Sequence, residues 1–211
     1  MKTNSNSYTI IYSAILVVIV AFLLAFVYTA LKPMQDANVA LDQKKQILNS
    51  LNLRNLSNEE AEKTYNEFVK EQQDQERVYY KCSIKGKTVY VFPLKGMGLW
   101  GGISGYVAIE GSDMNTVYGV YFNHEGETAG LGAEIKDNQK WQELFIGKKV
   151  FSKSGEIVLG VKKTVKVPES EVDAVTGATL TSNGVDEMLK DGLSAYNLKA
   201  LKSEASLKSE K

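Results

Sequence analysis

Cysteine and histidine are almost absent from this chain: Cys82 is the single cysteine and His124 the single histidine in 211 residues. A lone thiol excludes an internal disulfide, a Cys-x-x-Cys redox pair and a self-contained iron–sulfur site, each of which needs several thiols. Cys82 therefore reads as a free structural residue. With one histidine, a metal site would rest almost wholly on carboxylates, and their spacing shows no ligand pattern. Net charge is missing too, since 25 basic residues balance 25 acidic ones. No whole-chain field is available to draw in a polyanion, and nucleic acid is excluded as an expected partner. Redox chemistry on such a chain requires a borrowed cofactor.

Charge is also absent locally. Tyr8 to Leu31, YTIIYSAILVVIVAFLLAFVYTAL, holds no charged residue. At about 1.5 Å rise per residue it is long enough to cross a hydrocarbon core of roughly 30 Å. A cleaved signal sequence is the alternative, but a signal's apolar core usually runs about 7–15 residues, and no small-x-small cleavage pattern closes this one. Residues 8–31 are expected to be a retained transmembrane helix behind a short tail, 1–7, in contact with the lipid bilayer. Lys2 precedes the span, and Lys32, Lys44 and Lys45 follow it. The lysine count thus leans toward a cytoplasmic carboxyl domain, although long downstream domains translocate largely regardless of charge.

After Pro33, the residues Val39, Leu41, Ile47, Leu48 and Leu51 stand at roughly helical spacing in Asp36 to Leu53, which predicts a separate juxtamembrane helix. A second helix is expected from Ser57, where S-N-E-E forms a capping-box pattern, with Ala61, Tyr65, Phe68 and Val69 on one face until the Gln-rich stretch. Residues 32–76 thus read as a helical region. From Arg77 the pattern becomes extended. Arg77 to Ile84 and Thr88 to Leu94 are rich in Val and Tyr and flank K-G-K, a hairpin turning at Gly86. Further strands are expected at Gly105–Glu110, Thr116–Phe122 and Ile157–Val167, with a helix at Asn138–Ile146. Strands with interspersed helices, not strict alternation, predict an α+β domain over 77–198 with a largely antiparallel sheet and flanking helices. The Lys/Ser/Glu run 199–211 reads as a flexible charged tail.

Hydroxyls and small residues crowd Asp173 to Ser182, D-A-V-T-G-A-T-L-T-S, ahead of Val185, Met188, Leu189 and Tyr196 at helical spacing. A helix start of this kind suits a phosphate, because its first N–H groups are unpaired and its dipole favours negative charge. The same residues also read as an ordinary Ser/Thr-capped helix after a glycine turn. Likewise E-G-E-T-A-G-L-G-A-E-I, Glu125 to Ile135, is a ligand loop or a glycine-rich surface turn, and Trp100 is a ligand contact or core packing. Gly96, Gly98 and Gly101 spell G-x-G-x-x-G, but the following G-G-I-S-G-Y-V-A-I-E reads as a strand, so no helix N-terminus meets a pyrophosphate. Direct NADH binding is not expected.

T-G-A-T-L-T matches the pattern S/T-G-A-T-x-T, and with it the chain resembles the covalent FMN-binding domain family, in particular the C-type flavin subunits of sodium-translocating NADH:quinone oxidoreductases. E-T-A-G-L-G resembles that family's E-T-P-G-L-G loop, with Ala129 in place of the usual proline. K-G-M-G-L-W is similar to its G-x-G-L-W element. The G-L-G-A-E-I and D-M-N-T-V stretches look more like the C-type subunit than the G-type subunit of Rnf electron-transport complexes.

The resemblance implies FMN joined to Thr181 by a phosphoester, with a flavin transferase reading Asp173 during maturation. Thr176, Thr179 and Ser182 are chemical rivals that only the family pattern sets aside. A threonine hydroxyl is a poor nucleophile near neutral pH, so its activation is expected from the transferase and not from this chain. The further contacts implied are Thr176, Gly177, Ala178, Thr179 and Leu180 near the attachment point. Glu127, Thr128, Gly130, Leu131 and Gly132 in the loop and the apolar pair Leu99 and Trp100 complete the set. The resemblance also implies an electron-carrying subunit of a bacterial inner-membrane complex that oxidises NADH, reduces quinone and pumps sodium. The other membrane subunits are its partners and the FMN domain is periplasmic. A cofactor-free, envelope-anchored assembly module is the reading from a different class.

Overall fold

The computed structural model describes residues 6–74, 77–198 and 201. The chain divides into two compact units, one up to Gln43 and one from Lys44 onward.

The first unit lies within a single helix, α1, Asn6–Ser50. By length and composition α1 is able to cross a membrane, and no residue of its most apolar window is buried. Pro33 was expected to separate two helices; instead α1 runs through it. Proline cannot donate to the carbonyl four residues earlier. That single loss does not end α1, because strong helix formers such as Met34, Gln35, Ala37, Ala40, Leu41 and Lys44 follow. In the second unit α1 closes on a Schellman motif. Asn52 takes the left-handed conformation (φ 61°), and Leu53 N donates to Leu48 O at 3.0 Å. Ile47, Leu48 and Leu51 are buried there.

Helix α2, Asn58–Phe68, carries the expected capping box: Glu60 N donates to Ser57 Oγ and Ser57 N donates to the Glu60 carboxylate. The helical region does not extend to residue 76, because Val69–Asp74 forms a strand, β1. Its sequence, V-K-E-Q-Q-D, lacks the alternation that betrays a half-buried strand. As an edge strand it is fixed by antiparallel pairing to β2, Arg77–Ile84. The hairpin from β2 to β3, Lys87–Met97, turns on Lys85 (φ 50°) and Gly86 (φ 78°), the double positive φ of a type I′ turn. Then follow β4, Gly102–Glu110, and β5, Val117–His124, completing a five-stranded antiparallel meander in sequence order.

Beyond β5 lie two short helices, α3, Glu134–Asp137, and α4, Gln139–Glu143, where one helix from Asn138 was expected. Asn138 divides them because its side chain accepts from Trp141 N (3.1 Å) and caps α4. The strand expected at Ile157–Val167 shrinks to β6, Gly160–Lys162, which pairs in parallel with β7, Glu171–Asp173. The Glu171 carboxylate takes the amides of Lys166 (2.6 Å) and Val167 (2.8 Å) that a longer ladder would have used. Helix α5, Thr179–Ser194, packs against β3 and β6 and buries Val185, Met188, Leu189 and Leu193. Between α5, the sheet and α3–α4 lies the core, in which the Phe122 ring meets Trp141 at a tilt and Phe145 edge-on, with centroids 5.7 and 5.3 Å apart. Cys82 is buried in β2, and burial pushes its thiol up to about 12, as befits a packing residue. Of the tail 199–211, only Leu201 falls among the described residues, and the tail 1–7 is described only from Asn6.

Candidate functional site

Antiparallel pairing fixes where the motifs meet. Met97 pairs with Gly102 across the β3–β4 tip, Ile103 pairs with His124, and Glu125 N donates to Gly102 O at 3.0 Å. The tip 98–101, carrying Leu99 and Trp100, and the loop after β5 are thus held at one end of the sheet. Helix α5 arrives at the same end because its second turn rests on β3: any Cβ at Gly184 would overlap the Met97 carbonyl.

The three segments enclose a concavity of about 400 Å³ lined by Leu99, Trp100, Glu127, Thr128, Leu131, Gly132, Gly177, Ala178, Thr179, Leu180 and Thr181. Two of the residues expected around a ligand, Thr176 and Gly130, do not line it; Thr176 is exposed and Gly130 serves a turn. Asp173 is exposed outside the concavity, its main-chain carbonyl accepting from Trp141 Nε1 at 2.7 Å. Larger concavities of about 580 and 670 Å³ lie around Phe151 and Lys190, and none of the residues expected to contact a flavin lines either. The smaller one gathers a hydroxyl, a carboxylate and a helix N-terminus.

The hydroxyl-rich segment was expected ahead of a helix; α5 in fact starts at Thr179, so Thr181 sits in its first turn. Ala178 offers no side-chain cap, and the first bond of the α5 ladder runs from Ser182 N to Ala178 O (2.9 Å). The amides of Thr179, Leu180 and Thr181 precede that bond, leaving the helix end suited to a phosphate oxygen. The rival hydroxyls differ in surroundings: Thr176 and Thr179 are exposed, while Ser182 Oγ accepts from Val175 N at 3.1 Å.

Thr181 is 1% exposed and donates to Glu127 Oε2 at 2.6 Å. Glu127, 7% exposed, accepts from Trp100 N through Oε1 at 2.9 Å, and its own amide donates to His124 Nδ1 at 3.2 Å. Burial pushes the Glu127 carboxyl up, but hydrogen bonds from the Thr181 hydroxyl and the Trp100 and Leu99 amides outweigh it and hold the group below its ordinary value. These hydrogen bonds favour the ionised form of this buried carboxylate. Gly132 permits the arrangement, since a Cβ there would overlap Glu127 Oε2 and stand 2.6 Å from Thr181 Oγ1.

Thr128 to Leu131 is a type II turn: Leu131 N donates to Thr128 O at 3.1 Å, and Gly130 has φ 71°. Above the buried pair the rim is apolar and open. Trp100 is 70% exposed and Leu180 58%, so Trp100 is not core packing. The Glu127–Thr181 bond spans 54 residues of sequence. Each residue stood in a recognisable motif, but no local signal joined them.

A sequence family described as FMN-binding domain matches residues 98–194, which includes all three segments. The chain is similar to the C-type subunit of the Na(+)-translocating NADH-quinone reductase of Haemophilus ducreyi, with 32% identity and 89% of each chain covered. It is also similar to the corresponding protein of Pseudomonas aeruginosa, with 41% identity over 54% of this chain, where the match spans about half (47%) of the relative. Among solved structures, the corresponding Na(+)-translocating NADH-quinone reductase protein from Parabacteroides distasonis superposes with a TM-score of 0.72 at 38% identity. That match covers 81% of this chain and 96% of the other. Shewanella oneidensis NqrC, at 22% identity and a TM-score of 0.65, shares the fold.

Proposed function

Since the chain belongs to the NqrC family, the C-type subunits of Na(+)-translocating NADH-quinone reductases, we propose that it carries FMN covalently on Thr181 as an electron-transfer subunit of such a complex. The complex as a whole oxidises NADH, reduces quinone and moves sodium across the membrane. The observation that carries this reading is the convergence of three separated motifs on one concavity, with Thr181 in the first turn of α5.

The residues present fit the group. Thr181 would offer the ester oxygen, and the unpaired amides at the start of α5 would hold the phosphate. Leu99, Trp100, Leu131 and Leu180 offer apolar surface to a planar ring, while Thr128 and Glu127 supply polar contacts. Bound FMN would supply exchange of electrons singly or in pairs; this chain's share is to place the ring and exclude water from one side of it. Helix α1 serves as a single transmembrane anchor, with the flavin domain on the periplasmic face and the other membrane subunits as partners. Asp173, exposed beside the attachment segment, is the residue a flavin transferase would read.

Coexpression with a flavin transferase tests the attachment site. Wild type should fluoresce as a flavoprotein in a denaturing gel and Thr181→Ala should not, whereas Thr176→Ala and Thr179→Ala should retain the signal. Fluorescence persisting in Thr181→Ala would refute the assignment.

A further inference from the structure

The chain is neutral as a whole, but its charge is unevenly spread. Residues 148–168 hold six lysines, Lys148, Lys149, Lys153, Lys162, Lys163 and Lys166, against a single acid, Glu156. Folding gathers three of them, with Lys190 from α5, around the concavity of about 670 Å³. We propose that this concavity binds the phosphate headgroup of an anionic phospholipid together with the first part of its acyl chain. The site is separate from the flavin concavity; only the choice of a lipid as occupant rests on the reading of α1 as a membrane anchor.

The lysines are not cancelled by their partners. Lys162 and Lys190 donate to the same oxygen, Asp186 Oδ2, at 2.8 and 2.7 Å, while Asp186 Oδ1 accepts from Val161 N at 2.9 Å. Two ammonium groups on one carboxylate leave a positive charge over. Lys153 is exposed and has no partner among the described residues, whereas Lys149 is held by Asp113 and by Thr116 Oγ1. Two acids also line the cavity: Glu171 Oε2 is taken up by the amides of Lys166 and Val167, and Glu169 lies exposed.

A buried hydroxyl is left over beside these charges. Ser170 is 3% exposed and lines the cavity. Its amide donates to Val167 O and its carbonyl accepts from Gly160 N, both at 3.0 Å, but its side chain has no hydrogen-bond partner among the described residues. Buried hydroxyls are ordinarily satisfied, so this one suits an oxygen brought by a ligand. The remaining wall is apolar: Phe151 and Ile157 pack against the core, and Val158 and Val167 complete it. A bare inorganic anion makes no use of that wall, and a neutral hydrocarbon makes no use of the lysines. A phospholipid phosphate with its chain uses both. The volume falls among small-molecule sites, about 300–1,000 Å³, and admits a headgroup and part of one chain. Lysine clusters close to a bilayer draw anionic lipids in particular.

The test is native mass spectrometry of the full chain in non-ionic detergent, titrated with phosphatidylglycerol, phosphatidylcholine of the same chains, laurate or inorganic phosphate. Phosphatidylglycerol should bind at one site about fivefold or more tightly than phosphatidylcholine, and Lys153→Glu should weaken it by about as much, the worth of one lysine at an anionic surface. Val167→Trp, which fills the cavity without changing charge, should also remove the site. Both side chains are exposed, so neither substitution threatens the fold. Lys140→Glu, outside the cavity, should change nothing. Equal binding of the two lipids overturns the proposal, as does phosphatidylglycerol binding untouched by both variants, which would put the lipid along α1. Loss in Lys153→Glu alone overturns it too, because surface charge would then suffice without the cavity. Inorganic phosphate or laurate displacing phosphatidylglycerol at equal concentration would overturn the phospholipid assignment. None of these readouts depends on flavin attachment, and the anchor reading of α1 is tested separately by resistance to an alkaline wash.

Discussion

The Thr181 hydroxyl and the Glu127 carboxylate are buried yet partnered, and Gly132 is the residue whose missing side chain lets them meet. Gly132→Ala should therefore cost about 1–3 kcal/mol through overpacking, read as a lower urea midpoint, and should slow flavin attachment in the same variant. An unchanged midpoint would show that the loop yields easily. Asp113 allows a prediction about pH. Burial pushes its carboxyl up, but donation from the Thr116 side chain, the Asn115 and Thr116 amides and Lys149 outweighs this and brings it down to about 2 from 3.8. The ionised form is favoured in the folded state. Its contribution is complete above the unfolded value and is lost as pH falls through the folded one. The difference in urea midpoint between wild type and Asp113→Asn should thus shrink as pH falls from about 4 to about 2; a constant difference would contradict it. At this scale the sequence was informative about which residues matter and silent about pairing. Thr181 and Glu127 each stood in a motif, but their contact depends on how β5 ends and where α5 begins, which no local spacing encodes.

Elements were legible where a local rule acts alone. The capping box at Ser57 and the Lys85–Gly86 turn are set by chemistry within a few residues, and both form as expected. Reading failed where distant groups decide. Strand β1 is held by its partner β2 and not by its own polar sequence. The run from Ile157 is cut short because Glu171 captures amides the strand would need. The Thr128–Leu131 turn joins the two cases. Ala129 occupies the second position of a type II turn, where proline's fixed φ is compatible, ahead of Gly130 at φ 71°. Ala129→Pro should stabilise the domain by about 0.4–1 kcal/mol by restricting the unfolded chain, seen as a raised thermal midpoint. Gly130→Ala should lower it, because alanine resists positive φ even though space is open there. A lowered midpoint for Ala129→Pro would mean that the turn differs from the one described.

For the whole molecule, the division at Gln43 and Lys44 separates a helix whose most apolar window is unburied from a unit holding the described core. A chain beginning at Lys44 should be soluble without detergent and unfold within a few degrees of the full chain. Full-length protein should stay with membranes after an alkaline wash. Aggregation of the shortened chain would show that its core depends on the preceding helix. The apolar run was the plainest feature of the sequence, because membrane crossing demands length and lack of charge and little else. The α+β class also followed from pattern, whereas the meeting of three motifs at one sheet end emerged only from strand pairing. Flavin attachment at Thr181 is tested most directly by peptide mass spectrometry of wild-type protein exported to the periplasm with a flavin transferase present. An FMN-sized increment is expected on the peptide that contains Thr181, localised to that residue by fragmentation. An unmodified peptide from folded, exported protein, or an increment localised to Thr176, Thr179 or Ser182, would contradict it.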